Sequence, residues 1–196
     1  YGSKTWHSNS KYRRIIWQCN SKFAGDERCQ TPHLYEETVK AAFITAFNTL
    51  IKNRDALIED GLIIQRALTD CTELDAEMST TIEEQEMVTE LIRKCIAQNA
   101  SDAIDQEDYA KRYASLMDRF ETASAKLADL SKKKQARDDQ ACMIGGFLFE
   151  LRERDEPLSE FDPYIWAVAL DVVTAHHDGR LVFKFRNGLE LEILPT

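Results

Sequence analysis

The sequence predicts an α+β fold, mainly α, with β pieces at both ends and a long helical insertion between them. Three observations carry that prediction. The first thirty residues mix strand formers with turn formers. From Val39 to Leu130 the apolar residues recur at helical spacing. From Val172 onward apolar and polar residues alternate around two turns, Asp178-Gly179 and Asn187-Gly188.

The elements follow in order. Tyr12, Ile15, Ile16 and Trp17 favour a strand. Ser8-Asn9-Ser10 before it and Asn20 to Gly25 after it mark turns. Thr31-Pro32-His33 is expected to open a helix, because Pro suits a first turn and Glu36-Glu37 suit its positive end. Val39, Ala42, Phe43, Ala46, Phe47, Leu50 and Ile51 form its apolar stripe. A second helix is expected over 54–69, with Leu57, Ile58, Leu62, Ile64 and Leu68 facing inward and Gly61 weakening it.

Two longer helices are expected next. Leu74, Met78, Ile82, Val88, Leu91, Ile92 and Cys95 stripe residues 72–98. Tyr109, Tyr113, Leu116, Phe120, Ala123, Leu127 and Leu130 step by four and three along 106–140, a heptad pattern. The connection from Asn99 to Asp108 is short and polar, which makes the two helices antiparallel. The first arm of this coiled-coil hairpin would extend roughly 40 Å at 1.5 Å per residue. Gly145-Gly146 is expected to break the pattern, which Phe147, Leu148 and Leu151 resume. A further helix should open around Pro157 to Pro163 and hold Ile165, Trp166, Val168 and Leu170. A three-strand meander should close the chain at Val172–His176, Leu181–Arg186 and Leu189–Leu194. Leu181, Phe183 and Phe185 take its inner face.

Charge divides the chain. The net charge is −9, yet residues 1–30 carry six Lys and Arg against Asp26 and Glu27, and residues 70–108 carry Arg93 and Lys94 against twelve acids. Such asymmetry separates a surface that can approach phosphate from one that cannot. No apolar run approaches the about 18 residues of a membrane span. Five cysteines, Cys19, Cys29, Cys71, Cys95 and Cys142, are an odd and scattered set, which favours a reducing cytoplasm. The chain opens without Met and is expected to be a fragment of something longer.

Among candidate sites, Lys4, Trp6, His7, Lys11, Arg13 and Arg14 gather cations and aromatic rings that suit DNA contact. Lys184 and Arg186, on the outward face of the meander, are weaker candidates, and the run Lys132-Lys133-Lys134 with Arg137 reads as a solvated helix face. Cys71, Cys95 and Cys142 read as small core residues, and Met78 and Met87 as packing fillers. A partner-binding tip is expected near Ile96 to Tyr109. His176-His177-Asp178 sits at a hairpin turn and carries no defensible metal or catalytic set.

The order Tyr1-Gly2-Ser3-Lys4, Trp6-His7-Ser8, Lys11-Tyr12-Arg13-Arg14, Trp17, Cys19, then Gly25, Cys29 and Thr31-Pro32-His33-Leu34 resembles the recombinase zinc ribbon of large serine recombinases. Glu160-Phe161-Asp162, Trp166, Asp178-Gly179-Arg180-Leu181-Val182-Phe183 and Asn187-Gly188 are similar to the closing part of that domain. The resemblance spans nearly the whole chain. It implies a truncated zinc β-ribbon and a C-terminal meander forming one DNA-binding domain, residues 1–70 and 141–196, with a coiled-coil arm inserted at 71–140. It implies site-specific recombination by a phage or mobile element. The chemistry then belongs to a serine domain that this chain lacks, so the chain itself is no enzyme. The implied partners are a double-stranded DNA attachment site and other recombinase subunits met through the coiled coil, with no membrane and no small-molecule substrate.

Cys19 and Cys29 match the second ligand pair of such a ribbon. The first Cys-x-x-Cys would lie upstream of Tyr1. Structural zinc takes four ligands, so the resemblance places zinc in the intact parent, and two thiolates alone do not close the site. Read from the residues without the resemblance, the chain could instead be a helical-hairpin interaction scaffold with no DNA role.

Overall fold

The computed structural model describes residues 1–22, 29–102 and 105–195. Helix makes up 63% of the described residues, with two small three-stranded antiparallel sheets, which is compatible with the α+β class. The elements are β1 (Gly2–Trp6), β2 (Arg14–Gln18), β3 (Leu34–Tyr35), α1 (Glu36–Lys52), α2 (Arg54–Thr69), α3 (Thr72–Ser101), α4 (Gln106–Glu153), α5 (Pro163–Ala169), β4 (Leu170–Ala175), β5 (Leu181–Phe185) and β6 (Glu190–Ile193). No helix among the described residues is long and apolar enough to cross a membrane. The chain divides into two compact units, residues 1–65 with 142–196, and residues 66–141.

The first unit holds both sheets. In one, β1 pairs antiparallel with β2 and β2 with β3. In the other, β4, β5 and β6 follow one another in antiparallel order. The apolar stripe of α1 buries Ala42, Phe43, Ala46, Phe47 and Leu50, and α1 touches both sheets. Phe43 is the hub of an aromatic cluster, with ring centroids 4.9 Å from Trp166, 5.9 Å from Phe47, 6.0 Å from Phe161 and 6.2 Å from Phe183. The alternation read in β5 holds, with Leu181, Phe183 and Phe185 fully buried. Its two flanking turns place Gly179 and Gly188 at φ +88° and +86°, the left-handed region that glycine enters without a β-carbon penalty.

Several expectations change. The helix expected from Thr31-Pro32-His33 starts only at Glu36, because Leu34 and Tyr35 instead pair with Trp17 and Ile16 as β3. Proline disfavours a helical residue before it, which argues against a helix running through Thr31. Tyr12 lies in the exposed turn before β2 and not in the strand. The helix expected to open around Pro157 to Pro163 does so at the end of that stretch, at Pro163, where the Asp162 side chain accepts from the N–H of Tyr164 and Ile165. Leu170 is the first residue of β4 and not part of α5.

Gly145-Gly146 does not interrupt the helix. α4 runs on to Glu153 because Ile144, Phe147, Leu148 and Leu151 are all buried on its face. A glycine costs a helix about 1 kcal/mol against alanine, and each such side chain recovers about 1.5–3 kcal/mol. On α2, Leu57, Ile58, Leu62 and Leu68 are half-buried but Ile64 is exposed, and the one buried residue is Gly61. The turn expected through Gly25, and residues 103–104 of the expected tip, lie outside the described residues.

In the second unit α3 and α4 run antiparallel. Partners on α4 rise in number as those on α3 fall: Arg119 meets Glu84 at 2.6 Å, Lys126 meets Glu77 at 2.8 Å and Lys134 meets Asp75 at 2.6 Å. Val88, Cys95 and Leu116 are buried between them, packed by Leu91, Ile92, Tyr109, Tyr113 and Phe120. Asp105 starts α4 by accepting from the N–H of Glu107 and Asp108. Cys71 and Cys95 are buried as expected of small core residues, whereas Cys142 is exposed. Met87 is exposed as well and fills no gap.

Candidate nucleic-acid interface

Strand pairing fixes which residues share a face. Directly opposed residues in an antiparallel pair point the same way. Lys4 opposes Ile16 and Trp6 opposes Arg14, so Lys4, Trp6 and Arg14 share one face of the hairpin. Ile16 anchors that face in the core at 0% exposure. The candidate residues are the rim around this anchor.

The connection from β1 to β2 is a compact turn. His7 adopts φ 51°, and its carbonyl accepts from the Ser10 N–H. The Ser10 hydroxyl accepts from the Tyr12 N–H, and its carbonyl from the Arg13 N–H at 3.1 Å. These bonds order the segment that displays His7, Lys11 and Arg13, all of them exposed. Trp6 meets His33 edge to face at 5.2 Å. The Lys11 ammonium lies 5.2 Å from the Tyr12 ring centroid, and the Arg14 guanidinium 5.3 Å from that of Tyr35. Among the described residues Lys4, Lys11, Arg13 and Arg14 enter no ion pair.

Among the described residues, most of the other candidate basic groups are engaged, Lys132 excepted. Lys133 and Lys134 pair with Asp129 and Asp75, and Arg137 donates to the Asp70 carbonyl. Lys184 and Arg186 both face Asp171 at 3.6 Å.

Cys19 and Cys29 are both half-buried free thiols. The Thr31 hydroxyl lies 2.8 Å from the Cys29 sulfur. The Cys29 thiol is held below its ordinary value, first by the Thr31 side chain, then by the Thr31 backbone, then by a hydrogen bond with Cys19. Lys22 braces the same corner, donating to the Thr31 carbonyl at 2.8 Å. The pair supplies half of the four ligands that structural zinc takes. Among the described residues no group of three or more His, Cys, Asp or Glu is placed to hold a metal.

Three participants are not apparent from the sequence: Tyr35 under Arg14, and Thr31 with Lys22 beside Cys29. The available signal was the short apolar pair Leu34-Tyr35 after Pro32, which reads as an extended segment once the proline is taken as a stop and not a start. No family model matches this chain. No curated protein matches it either, and no solved structure does.

Proposed function

We propose that this chain is the DNA-docking and subunit-contact portion of a large serine recombinase, acting in the cytoplasm, and carries no catalysis of its own. In this reading the β1–β2 hairpin belongs to a zinc ribbon whose remaining ligands come from residues upstream of Tyr1. The hairpin and the β4–β6 meander dock on one half of an attachment site. The α3–α4 pair, as a coiled coil, meets another subunit, and where each DNA site places the hairpin decides which arms can meet.

One observation carries the DNA reading. Lys4, Lys11, Arg13 and Arg14 are exposed beside Trp6 and His7 and, among the described residues, are neutralised by no acid. A chain of net charge −9 has ample carboxylates, yet these four cations stay available for phosphate. The acidic helical pair favours a second reading, an interaction scaffold without DNA, because Ile82, Met87 and Ile96 are exposed on α3.

The test is fluorescence anisotropy of a labelled duplex pool of randomised sequence. DNA docking gives binding that weakens steeply between about 50 and 200 mM salt. Replacing Lys4, Lys11, Arg13 and Arg14 by Ala should flatten the log–log salt slope by about 0.9 for each phosphate that is no longer neutralised. Absence of binding even at the lowest salt would reject docking and leave the scaffold.

A further inference from the structure

A groove lies between the hairpin turn and the start of α1, lined by Tyr12, Arg13, Arg14, Tyr35, Glu36 and Glu37. We infer that this groove reads a single G·C base pair, with Arg14 on the guanine and Glu37 on the cytosine. The inference rests on the DNA-docking reading above and deepens it.

The reasoning starts from what else lines the groove. A cradle for phosphate alone would not hold two carboxylates, which repel it. Glu36 and Glu37 are nevertheless there, both drawn to Lys40 at 2.9 and 3.0 Å. Glu36 is largely covered, whereas the Glu37 side chain is 85% exposed. Lys40 engages Oε1 of Glu37, so Oε2 remains open to a donor. In the same groove Arg14 presents a guanidinium that the Tyr35 ring supports from one side. Its N–H groups make no hydrogen bond among the described residues. A ring-supported guanidinium is a fork whose direction is set in advance, and such a fork suits a planar pair of acceptors.

The groove thus holds both a donor fork and an acceptor. The major-groove edge of a G·C pair offers the complement: O6 and N7 of guanine accept, and N4 of cytosine donates. A phosphate would satisfy Arg14 but leave Glu37 opposed. An A·T pair would set a donor, the adenine N6, where the fork needs an acceptor. Lys11 and Arg13 on the adjoining turn then hold the phosphates of the flanking strand, which positions the groove without reading sequence.

The experiment selects preferred duplexes from the randomised pool with the full chain. It then measures single base-pair changes against wild type and four variants. Arg14→Lys keeps the charge and loses the fork. It should keep the salt slope and lose roughly tenfold of discrimination at one G·C position. Glu37→Gln should lose discrimination at that same position, and Tyr35→Leu should do so by freeing the fork. Lys11→Ala should weaken all sequences alike. The inference is overturned if Arg14→Lys leaves every base preference intact, or if Arg14→Lys and Glu37→Gln act at unrelated positions. Wild-type binding without any base preference would overturn it while leaving DNA docking in place. Failure to bind any duplex would overturn both.

Discussion

Gly61 of α2 packs directly against Leu148 of α4: a β-carbon on Gly61 would stand 2.5 Å from Leu148 Cδ2 and 3.2 Å from its Cγ. Leu148 is itself buried and has little room to retreat. Glycine here is the contact that lets two helices approach. Gly61→Ala gains about 1 kcal/mol of helix propensity but overpacks at a cost of about 1–3 kcal/mol. The expected sum is a loss of up to about 2 kcal/mol in urea unfolding. At Gly146 the added carbon would meet only Val168 Cγ1 at 3.8 Å. Gly146→Ala should therefore stabilise by up to about 1 kcal/mol. Equal signs for the two variants would contradict this packing.

Asn48 ties α1 to the segment before α5 with two reciprocal bonds. Its Nδ2 donates to the Leu158 carbonyl at 3.0 Å, and its Oδ1 accepts from the Leu158 N–H at 2.7 Å. Without Asn48 both Leu158 groups would lose these partners in a half-buried corner. Asn48→Ala should cost about 2 kcal/mol, the penalty of orphaned polar groups. Asn48→Asp keeps the acceptor and loses the donor, so it should fall between wild type and Ala in chemical denaturation.

The β4–β5 turn carries a pH response. The Asp178 carboxyl is held below its ordinary value, first by the Arg180 backbone N–H and then by the Arg180 side chain at 2.7 Å. A depressed carboxyl stabilises the fold above its unfolded value and loses that contribution as pH falls through the folded value. The turn should therefore loosen on acidification below about pH 4, and not on going to alkaline pH. A carbon-detected NMR titration of Asp178 should show its midpoint rising in Arg180→Gln. An unchanged midpoint would mean that the side-chain bond is irrelevant to the turn.

Within the second unit, Val88 is fully buried and its neighbour Met87 is 56% exposed. Val88→Ala should destabilise the helical pair by about 2 kcal/mol through the cavity it leaves. Met87→Ala should stay within about 0.5 kcal/mol, as surface changes do. Helical circular dichroism during thermal unfolding distinguishes them. Comparable losses would mean that Met87 is covered in solution, as an arm that meets a partner would require.

What the sequence revealed and what it hid follow from how local each signal is. The two Gly turns of the C-terminal sheet and the stripe of α1 are written in neighbouring residues, and the structure has both. The antiparallel course of α3 and α4 followed from a short polar connection. Leu34-Tyr35 was missed because two residues become a strand only when β2 is present to pair with them. The run of α4 through Gly145-Gly146 was missed for a similar reason. Local propensity argues for a break there, and only the burial of Phe147, Leu148 and Leu151 outweighs it. In the candidate interface, the cations were legible as charge, but the Tyr35 ring beneath Arg14 and the carboxylate of Glu37 in the same groove depend on β3 and on where α1 starts.

The aromatic cluster around Phe43 draws its members from opposite ends of the chain, since Phe161, Trp166 and Phe183 all lie beyond the α3–α4 pair. On a ribosome adding roughly 5–20 residues per second, on the order of ten seconds pass between Phe43 and Phe183. Through that interval Phe43 lacks the rings of Phe161, Trp166 and Phe183, while α3 can already settle against the first part of α4. Assembly of the first unit therefore waits for the last strands to leave the tunnel, and the nascent chain in that window is the species for which chaperones and aggregation compete.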